Sequence, residues 1–244
     1  MFRIGLDLGS SYTKGVVADD AGEIVDYYVV KTAYSFKVAS EKVIERLSKD
    51  REIKYPIYTC GYGREQTGKD FVAASEITSL SKAVFKLYGG GLAIIDIGGQ
   101  DAKYIKLKPT GEVDKFKLNR KCAAGTGSFI EEIALRLDIK PAEFNKLSEN
   151  ATEKIRLNSF CTVFAISEVI GMIKNGASLP NIVLAVYESI IDRCLELGDL
   201  SGRVLLTGGL PEIHPAVLTL FAARGVKVET PKLSQFIAAY GCLL

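Results

Sequence analysis

The 244-residue sequence has no hydrophobic run long enough to span a membrane, and it has little excess of charge of either sign. Its longest apolar segment, 182–191, is interrupted by Glu188. The formal net charge is only +2, and no stripe of lysine and arginine is interleaved with aromatic residues, so we expect neither a membrane nor a nucleic-acid partner. No signal peptide is evident before the first strand-like segment. These absences predict a cytoplasmic protein.

The commonest nucleotide and disulfide signatures are absent as well. The sequence contains no GxxxxGK(S/T) and no GxGxxG after a first strand, which disfavours the P-loop and dinucleotide-binding folds. The five cysteines are an odd number without a CxxC pair, which fits a reducing compartment better than a disulfide framework. A hydrophobic content of 48% allows a sizeable core, in one large or two small domains.

What the sequence does contain is a duplicated turn, LDLGSSYTKG around Asp7 and IDIGGQDAKY around Asp96. In each copy an Asp ends an apolar run, a Gly stands two positions later, and a Lys follows, Lys14 or Lys103. Glycine lets backbone N–H groups approach phosphate oxygens, and the carboxylate can hold Mg²⁺ through water. One copy alone is equally typical of an ordinary hairpin turn. Each lysine, taken alone, is more typical of a solvated strand residue than of a ligand contact. The duplication, with a third glycine turn at Thr207-Gly208-Gly209, favours nucleotide binding.

Further segments resemble a known family. The stretches CGYGRE (60–65), NRKCAAGTGSF (119–129) and FCTVFAISEVI (160–170), together with the second turn, resemble the activator ATPases of 2-hydroxyacyl-CoA dehydratases and their benzoyl-CoA reductase relatives. These ATPases belong to the acetate kinase, sugar kinase, Hsp70 and actin superfamily, and the resemblance spans nearly the whole chain. It implies an α/β fold of duplicated ribonuclease H-like (actin-like ATPase) halves with a nucleotide cleft between them. We expect residues 1–88 with a closing helix at 233–244 to form the first half, and residues 89–232 to form the second.

The resemblance also implies a site for ATP or ADP with Mg²⁺. Asp7 and Asp96 are expected in the water-mediated Mg²⁺ shell. Gln100 or Asp101 is expected to orient the attacking water, because phosphoryl transfer to water needs mainly positioning and charge stabilisation. The other expected nucleotide contacts come from the three glycine turns: Gly9, Ser10, Ser11, Thr13, Lys14, Gly98, Gly99, Thr207, Gly208 and Gly209.

Two of the cysteines differ from the other three. Cys122 and Cys161 each precede a predicted helix, where the helix dipole and unpaired N–H groups favour thiolate. A cubane cluster usually takes four Cys ligands, and a two-fold dimer would supply four from two chains. From the residues alone, two metal-free cysteines or a disulfide between them is the alternative. The resemblance implies one 4Fe-4S cluster shared across a homodimer. Cys194 and Cys242 lie in apolar patterns typical of buried thiols, and Cys60 ends a strand-like segment.

Local patterns predict the elements around these residues. Ser128 and Glu131 form a capping-box pattern before the helix that follows Cys122. In the helix that follows Cys161, the positions expected to face inward are Val163, Ile166, Ile170 and Ile173. Strands are predicted at 2–8, 14–19, 24–31, 56–60, 92–97 and 203–207, and further helices at 40–50, 73–88, 178–197 and 235–244.

The function implied by the resemblance is ATP-driven electron transfer. A low-potential electron would pass to a dehydratase or dehydratase-like iron–sulfur protein, with a reduced ferredoxin or flavodoxin as donor. The residues alone leave two alternatives open. One is a small-molecule kinase of the same superfamily, with Asp101 as the base, and the other is an ATP-binding protein whose Cys122 and Cys161 hold zinc or nothing. The sequence departs from the family pattern at SLSK (79–82), where relatives carry a histidine, and at LPE (210–212).

Overall fold

The computed structural model describes residues 1–66, 68, 70–119, 126–158 and 162–244. Contacts divide the chain into two compact units. Unit 1 comprises Met1–Gly91, Leu107–Asp114 and Gln235–Leu244, and unit 2 comprises Leu92–Lys106 and Lys115–Ser234. The domain bounds expected from the sequence, 1–88 with 233–244 and 89–232, stay a prediction, as does a nucleotide cleft.

Unit 1 contains a mixed sheet and three helices. The strands are β1 Arg3–Leu8, β2 Tyr12–Ala18, β3 Ile24–Lys31, β4 Ile57–Cys60 and β5 Phe71–Ala73, and the helices are α1 Phe36–Ser48, α2 Glu76–Tyr88 and α9 Ile237–Gly241. The strand order is β3-β2-β1-β4-β5. β1 is the central strand, antiparallel to β2 and parallel to β4, and five of its six residues are buried.

Local capping and packing explain where the helices of unit 1 begin and end. α1 begins before its predicted start because the Ser35 hydroxyl accepts a hydrogen bond from the Val38 N–H at 3.3 Å. Val43 and Leu47 are fully buried on its inner face, and Ile44 is half-buried. The prediction of one helix over 73–88 was wrong at its start, since β5 ends at Ala73 and α2 begins at Glu76.

The last helix packs against the sheet and α2 through two glycines. A Cβ at Gly5 would lie 2.2 Å from the Ala239 carbonyl oxygen, and one at Gly241 would lie 1.8 Å from that of Ser79. The SLSK departure therefore lies at a tight packing contact within unit 1, where Ser79 and Ser81 are buried. α9 is shorter than predicted and follows a 3₁₀ turn at Ser234–Phe236.

Unit 2 repeats the strand arrangement of unit 1. Its strands are β6 Ala93–Ile97, β7 Ala102–Leu107, β8 Val113–Asn119, β9 Val204–Thr207 and β10 Val228–Glu229. Its helices are α3 Gly127–Arg136, α4 Glu143–Glu149, α5 Thr162–Lys174, α6 Leu179–Leu195, α7 Gly209–Ile213 and α8 Ala216–Ala223. The order is β10-β9-β6-β7-β8, with β6 antiparallel to β7 and parallel to β9. β6 is central in its sheet as β1 is in the other, with β7 and β8 in the places of β2 and β3 and with β9 and β10 in the places of β4 and β5. The two central strands also have the same pairing directions with their neighbours.

Two expectations for the helices of unit 2 were wrong. The N-cap of α3 is Thr126, so Ser128 lies inside the first turn and does not form the predicted capping box with Glu131. In α5 the buried residues include Ala165 and Val169, while Val163 is 68% exposed. Ile170 and Ile173 are exposed as well, and Ile166 is half-buried. Eight of the 13 residues of α5 are apolar and they are distributed around the helix, so periodicity could not distinguish its inner face.

Within the described residues, no helix is both long and apolar enough to cross a membrane.

Candidate functional site

The turn after β1 is organised by a cross-strand ion pair. Asp7 and Lys14 are opposite each other in the register of β1 and β2, and the Lys14 Nζ lies 2.9 Å from the Asp7 Oδ2. The other carboxylate oxygen, Asp7 Oδ1, is buried and has no hydrogen-bond partner among the described residues. An unpaired buried carboxylate oxygen is costly unless a ligand satisfies it. Carboxylate oxygens are also the donors that Mg²⁺ prefers, directly or through water, so this residue fits its expected place in the Mg²⁺ shell.

The packing of the backbone in the first turn leaves no room for a side chain at Gly9. A Cβ at Gly9 would lie 2.7 Å from the Tyr12 carbonyl oxygen and 3.7 Å from the Lys14 Nζ. The Gly9 carbonyl accepts a hydrogen bond from the Thr32 hydroxyl at 2.6 Å, and that hydroxyl lies 2.9 Å from the hydroxyl of Thr13. Thr13 is fully buried, so its side chain supports the turn from beneath. Ser10 and Ser11 are half-buried on the same turn.

The CGYGRE segment closes over Asp7. β4 runs parallel to β1 with Cys60 opposite Asp7, so the residues after Cys60 lie at the same edge of the sheet. Gly61 has a φ of +90°, and a Cβ there would lie 2.5 Å from the Asp7 Oδ1. The Gly63 N–H donates to the Leu8 carbonyl at 2.9 Å. Only glycine suits position 61, and it forms part of the wall around the unpaired oxygen.

The turn after β6 repeats the ion pair and adds a second carboxylate. Asp96 and Lys103 are opposite each other in the register of β6 and β7. The Lys103 Nζ lies 3.1 Å from the Asp96 Oδ2 and 2.8 Å from the Asp101 Oδ1, and its side chain is only 2% exposed. The alternative interpretation of each lysine as a solvated strand residue is therefore wrong, since the Lys14 side chain is likewise only 14% exposed.

The third glycine turn joins the second turn within unit 2. β9 lies beside β6 with Thr207 opposite Asp96, and the Thr207 hydroxyl donates to the Asp96 Oδ1 at 2.8 Å. Gly208 has a φ of +99°, and a Cβ there would lie 2.3 Å from the Ile97 carbonyl oxygen. At Gly209 a Cβ would meet nothing within 4 Å. The Asp96 carboxylate is thus held at both oxygens, beside a backbone turn that excludes side chains at Gly208.

The glycine pair of the second turn is bonded to the start of α3. The Gly98 N–H donates to the Asp101 carbonyl at 2.9 Å, which closes the turn. The Gly98 carbonyl accepts from the Gly127 N–H at 3.0 Å, and the Gly99 carbonyl accepts from the Ser128 N–H at 2.8 Å. Gln100 is exposed at the tip of the turn. The predicted phosphate turn and the helix that follows the Cys122 segment are therefore linked by two hydrogen bonds.

The model of the BadF/BadG/BcrA/BcrD ATPase family matches residues 4–244. The chain belongs to this family. Its fold is α/β with duplicated ribonuclease H-like halves, and the predictions of the family, the fold class and an ATPase are confirmed.

Several named relatives are similar to the ATPase over more than nine-tenths of their length. It is 39% identical over 251 residues to the activator of lactoyl-CoA dehydratase of Anaerotignum propionicum, covering 100% of this chain and 96% of the relative. It is 30% identical over 252 residues to the (R)-2-hydroxyglutaryl-CoA dehydratase activating ATPase of Acidaminococcus fermentans, covering 100% and 96%. Among solved structures, the activator of the 2-hydroxyisocaproyl-CoA dehydratase from Clostridium difficile with bound ADPNP has a TM-score of 0.89 and 30% identity, covering 99% of this chain and 92% of that one.

The expected cluster ligands of the ATPase, Cys122 and Cys161, lie outside the described residues. The three cysteines that are described, Cys60, Cys194 and Cys242, are all buried, as predicted for the last two. Burial raises the pKa of the Cys194 thiol to about 12, and a hydrogen bond with Cys242 together with burial raises the pKa of Cys60 well above its usual range. Within the described residues, no group of three or more His, Cys, Asp or Glu side chains could hold a metal ion.

Sequence reasoning missed two parts of this site in the ATPase. Lys103 was left out of the expected contacts, although it occupies the same place in the second turn as Lys14 in the first. Gly61 was left out because only the β1–β4 pairing brings it to Asp7. The only histidine, His214, has no role in this site. Its ring is buried, and its Nδ1 lies 2.8 Å from the Tyr187 hydroxyl oxygen.

Proposed function

We propose that this ATPase activates a 2-hydroxyacyl-CoA dehydratase, or a related iron–sulfur partner, by an ATP-driven electron transfer. One 4Fe-4S cluster is held by Cys122 and Cys161 of both subunits of a homodimer. The electron donor is a reduced ferredoxin or flavodoxin. The names of its relatives support the dehydratase partner, since several of them are dehydratase activators.

The observation that carries this proposal is the pair of hydrogen bonds between the second turn and α3. The carbonyls of Gly98 and Gly99 accept from the first two N–H groups of the helix that follows residues 120–125. Contacts that ATP makes with this turn therefore bear on the start of α3 without any intermediate side chain. This link supports a coupling between nucleotide state and the segment that carries Cys122, which a free-standing kinase site does not require.

The proposed ATP contacts are those expected from the sequence, and the geometry of each turn supports them. In unit 1, Gly9, Ser10 and Ser11 present backbone and hydroxyl groups to phosphate oxygens, Thr13 supports the turn, and Lys14 lies against it. In unit 2, Gly98 and Gly99 contact phosphate oxygens, and Thr207, Gly208 and Gly209 lie at the adenosine. Asp7 and Asp96 hold Mg²⁺ through water. The unpaired Oδ1 of Asp7 supports its place in that shell.

Hydrolysis needs a group that orients the attacking water. Gln100 and Asp101 are the two candidates in the second turn. Gln100 is exposed at its tip, while the Asp101 Oδ1 is fixed by Lys103 at 2.8 Å. A carboxylate held in one orientation loses less conformational entropy when it accepts a hydrogen bond from water. We therefore assign water orientation first to Asp101, with Gln100 contacting the γ-phosphate.

The surface of α5 supports the homodimer. Phe164 and Val163 lie directly after the Cys161 segment and are 65% and 68% exposed, and Ile170 and Ile173 are exposed further along the helix. Contiguous exposed apolar side chains are typical of surfaces that a partner covers. Covering them with a second copy would bring two Cys161 segments to one two-fold axis. A cluster bound there would supply a single low-potential electron.

The test is activation of purified lactoyl-CoA dehydratase, or of 2-hydroxyisocaproyl-CoA dehydratase, under strict exclusion of oxygen. We expect dehydration only with the ATPase, MgATP and a reductant. Cys122→Ala and Cys161→Ala should abolish activation, whereas Cys242→Ala, a buried cysteine outside the site, should retain it. An ATPase that activates neither dehydratase, and whose turnover rises many-fold with a sugar or acid acceptor, would instead be a kinase.

A further inference from the structure

The two copies of the turn differ in one charged group. In unit 1 the Lys14 ammonium forms an ion pair with the Asp7 carboxylate. In unit 2 the Lys103 ammonium lies between two carboxylates, those of Asp96 and Asp101. The position that corresponds to Asp101 in the first copy is Tyr12. The second turn therefore supplies two carboxylates of its own to its ammonium, while the first turn supplies Asp7 and has Tyr12 in place of the second carboxylate.

The two lysines also differ in their burial and in the groups that surround them. Lys14 lies against the backbone of its own turn, since a Cβ at Gly9 would be 3.7 Å from its Nζ. Lys103 is almost completely buried, and its Nζ makes contacts of 3.1 Å and 2.8 Å with carboxylate oxygens. A buried ammonium is tolerated only when its charge is compensated by partners of this kind. The Lys14 side chain is 14% exposed and the Lys103 side chain 2% exposed, so Lys103 is the less accessible of the two to a ligand and holds other side chains.

Lys103 holds the carboxylates of Asp96 and Asp101 in position in the second turn. Asp96 already accepts a hydrogen bond from Thr207 through Oδ1, and Lys103 binds its other oxygen. The Asp101 Oδ1, also bound by Lys103, would lie 3.1 Å from a Cβ at Gly98, so it sits directly against the glycine pair. One ammonium thus sets the orientation of both carboxylates relative to the backbone of the turn.

We propose that Lys103 is the positioning residue for ATP hydrolysis, which acts through Asp101 and does not itself bind nucleotide. This inference rests on the proposed function only in that ATP is hydrolysed at the second turn. Without the ammonium, Asp96 and Asp101 repel each other and Asp101 leaves the position from which it orients the attacking water. The consequence falls on turnover and much less on nucleotide affinity.

The test compares Lys103→Met, which removes the charge at similar length, with Lys103→Arg, which keeps it. We expect Lys103→Met to lower kcat for ATP about 100-fold, within the range of general acid–base and positioning effects, while KM and the calorimetric Kd for a non-hydrolysable ATP analogue change less than about threefold. Lys103→Arg should recover part of kcat. Lys14→Met is the matched control, and it should weaken analogue binding more than it lowers kcat.

A double variant isolates the route through Asp101. If Lys103 acts through that carboxylate, Asp101→Asn combined with Lys103→Met should be no slower than Asp101→Asn alone. Turnover of Lys103→Met equal to wild type, or a loss of analogue affinity as large as the loss of kcat, would overturn the proposal. If Lys103→Met alone does not fold, as judged by its thermal midpoint, the double variant and Lys103→Arg decide it. Wild-type ATP turnover without dehydratase activation would refute the proposed function and leave this inference standing.

Discussion

At the scale of single residues, the neighbouring glycines at 208 and 209 have opposite requirements. Gly208 has a φ of +99° and no room for a Cβ, whereas Gly209 has open space. Gly208→Ala should lower the free energy of unfolding by about 1–3 kcal/mol through backbone strain and contact with the Ile97 carbonyl. Gly209→Ala should leave it within about 0.5 kcal/mol, since surface substitutions away from such features have small effects. Denaturant unfolding of both variants checks this, and equal stabilities would contradict the geometry of the turn.

His214 makes the stability of unit 2 depend on pH. Its ring is buried beside the Tyr187 hydroxyl, and desolvation lowers its pKa from 6.5 to about 4. Because the pKa is lower in the folded state, the unfolded chain binds the proton first as the pH falls. The contribution is fully present above pH 6.5 and is lost progressively down to about pH 4. Between pH 7 and pH 5 the loss amounts to about 2 kcal/mol, at 1.36 kcal/mol per pKa unit.

The measurement is urea unfolding at both pH values for wild type and His214→Gln. The variant keeps a polar group near Tyr187 and cannot take up the proton, so its stability should fall less over this interval. Carboxylates titrate alike in both proteins, and the difference between them isolates the histidine. The same pH dependence in both proteins would show that His214 is not buried in its neutral form.

At the scale of elements, capping and periodicity predicted some helices well and failed where the sequence is uniform. Cys194 was correctly predicted to be buried, because it lies at helical spacing from the apolar residues Tyr187 and Ile190 in the helix now seen as α6. In α5 the eight apolar residues of 13 are distributed around the helix, so its inner face is decided by packing against the rest of unit 2. Three elements, β5, β10 and α4, are too short for a hydrophobic period to be recognised in the sequence. Contacts with neighbouring elements stabilise them.

The exposed apolar side of α5 leads to a prediction about self-association. Phe164→Asp places a charge on a surface that the proposed homodimer covers. We expect the variant to shift toward monomer in sedimentation velocity, with an unfolding free energy close to that of wild type, because Phe164 is 65% exposed. The matched control is Val25→Asp on β3, an exposed apolar residue of unit 1, which should stay dimeric. A dimer as stable in Phe164→Asp as in wild type would place the interface elsewhere.

At the scale of the whole molecule, the duplication was visible in the sequence, and much of the candidate site was not. Two turns of similar sequence predicted two units, and the units have the same strand order. In each turn the strand register brings the Asp and the Lys opposite each other. Whether the turn residues bind nucleotide remains a proposal. Gly61 and Thr32 could not be found from the sequence, because parallel pairing and a loop contact bring them to the first turn. Burial of Lys103 between two carboxylates likewise depends on the assembled fold.

We propose that ATP hydrolysis in this chain drives an electron from one cluster shared by two subunits. The direct test is the iron and sulfide content per dimer, measured on protein purified without oxygen. We expect about four of each per dimer, as for one cubane cluster, a brown visible spectrum, and loss of both in Cys122→Ala and Cys161→Ala. A colourless dimer without iron, unchanged by anaerobic reconstitution with iron and sulfide, would contradict it.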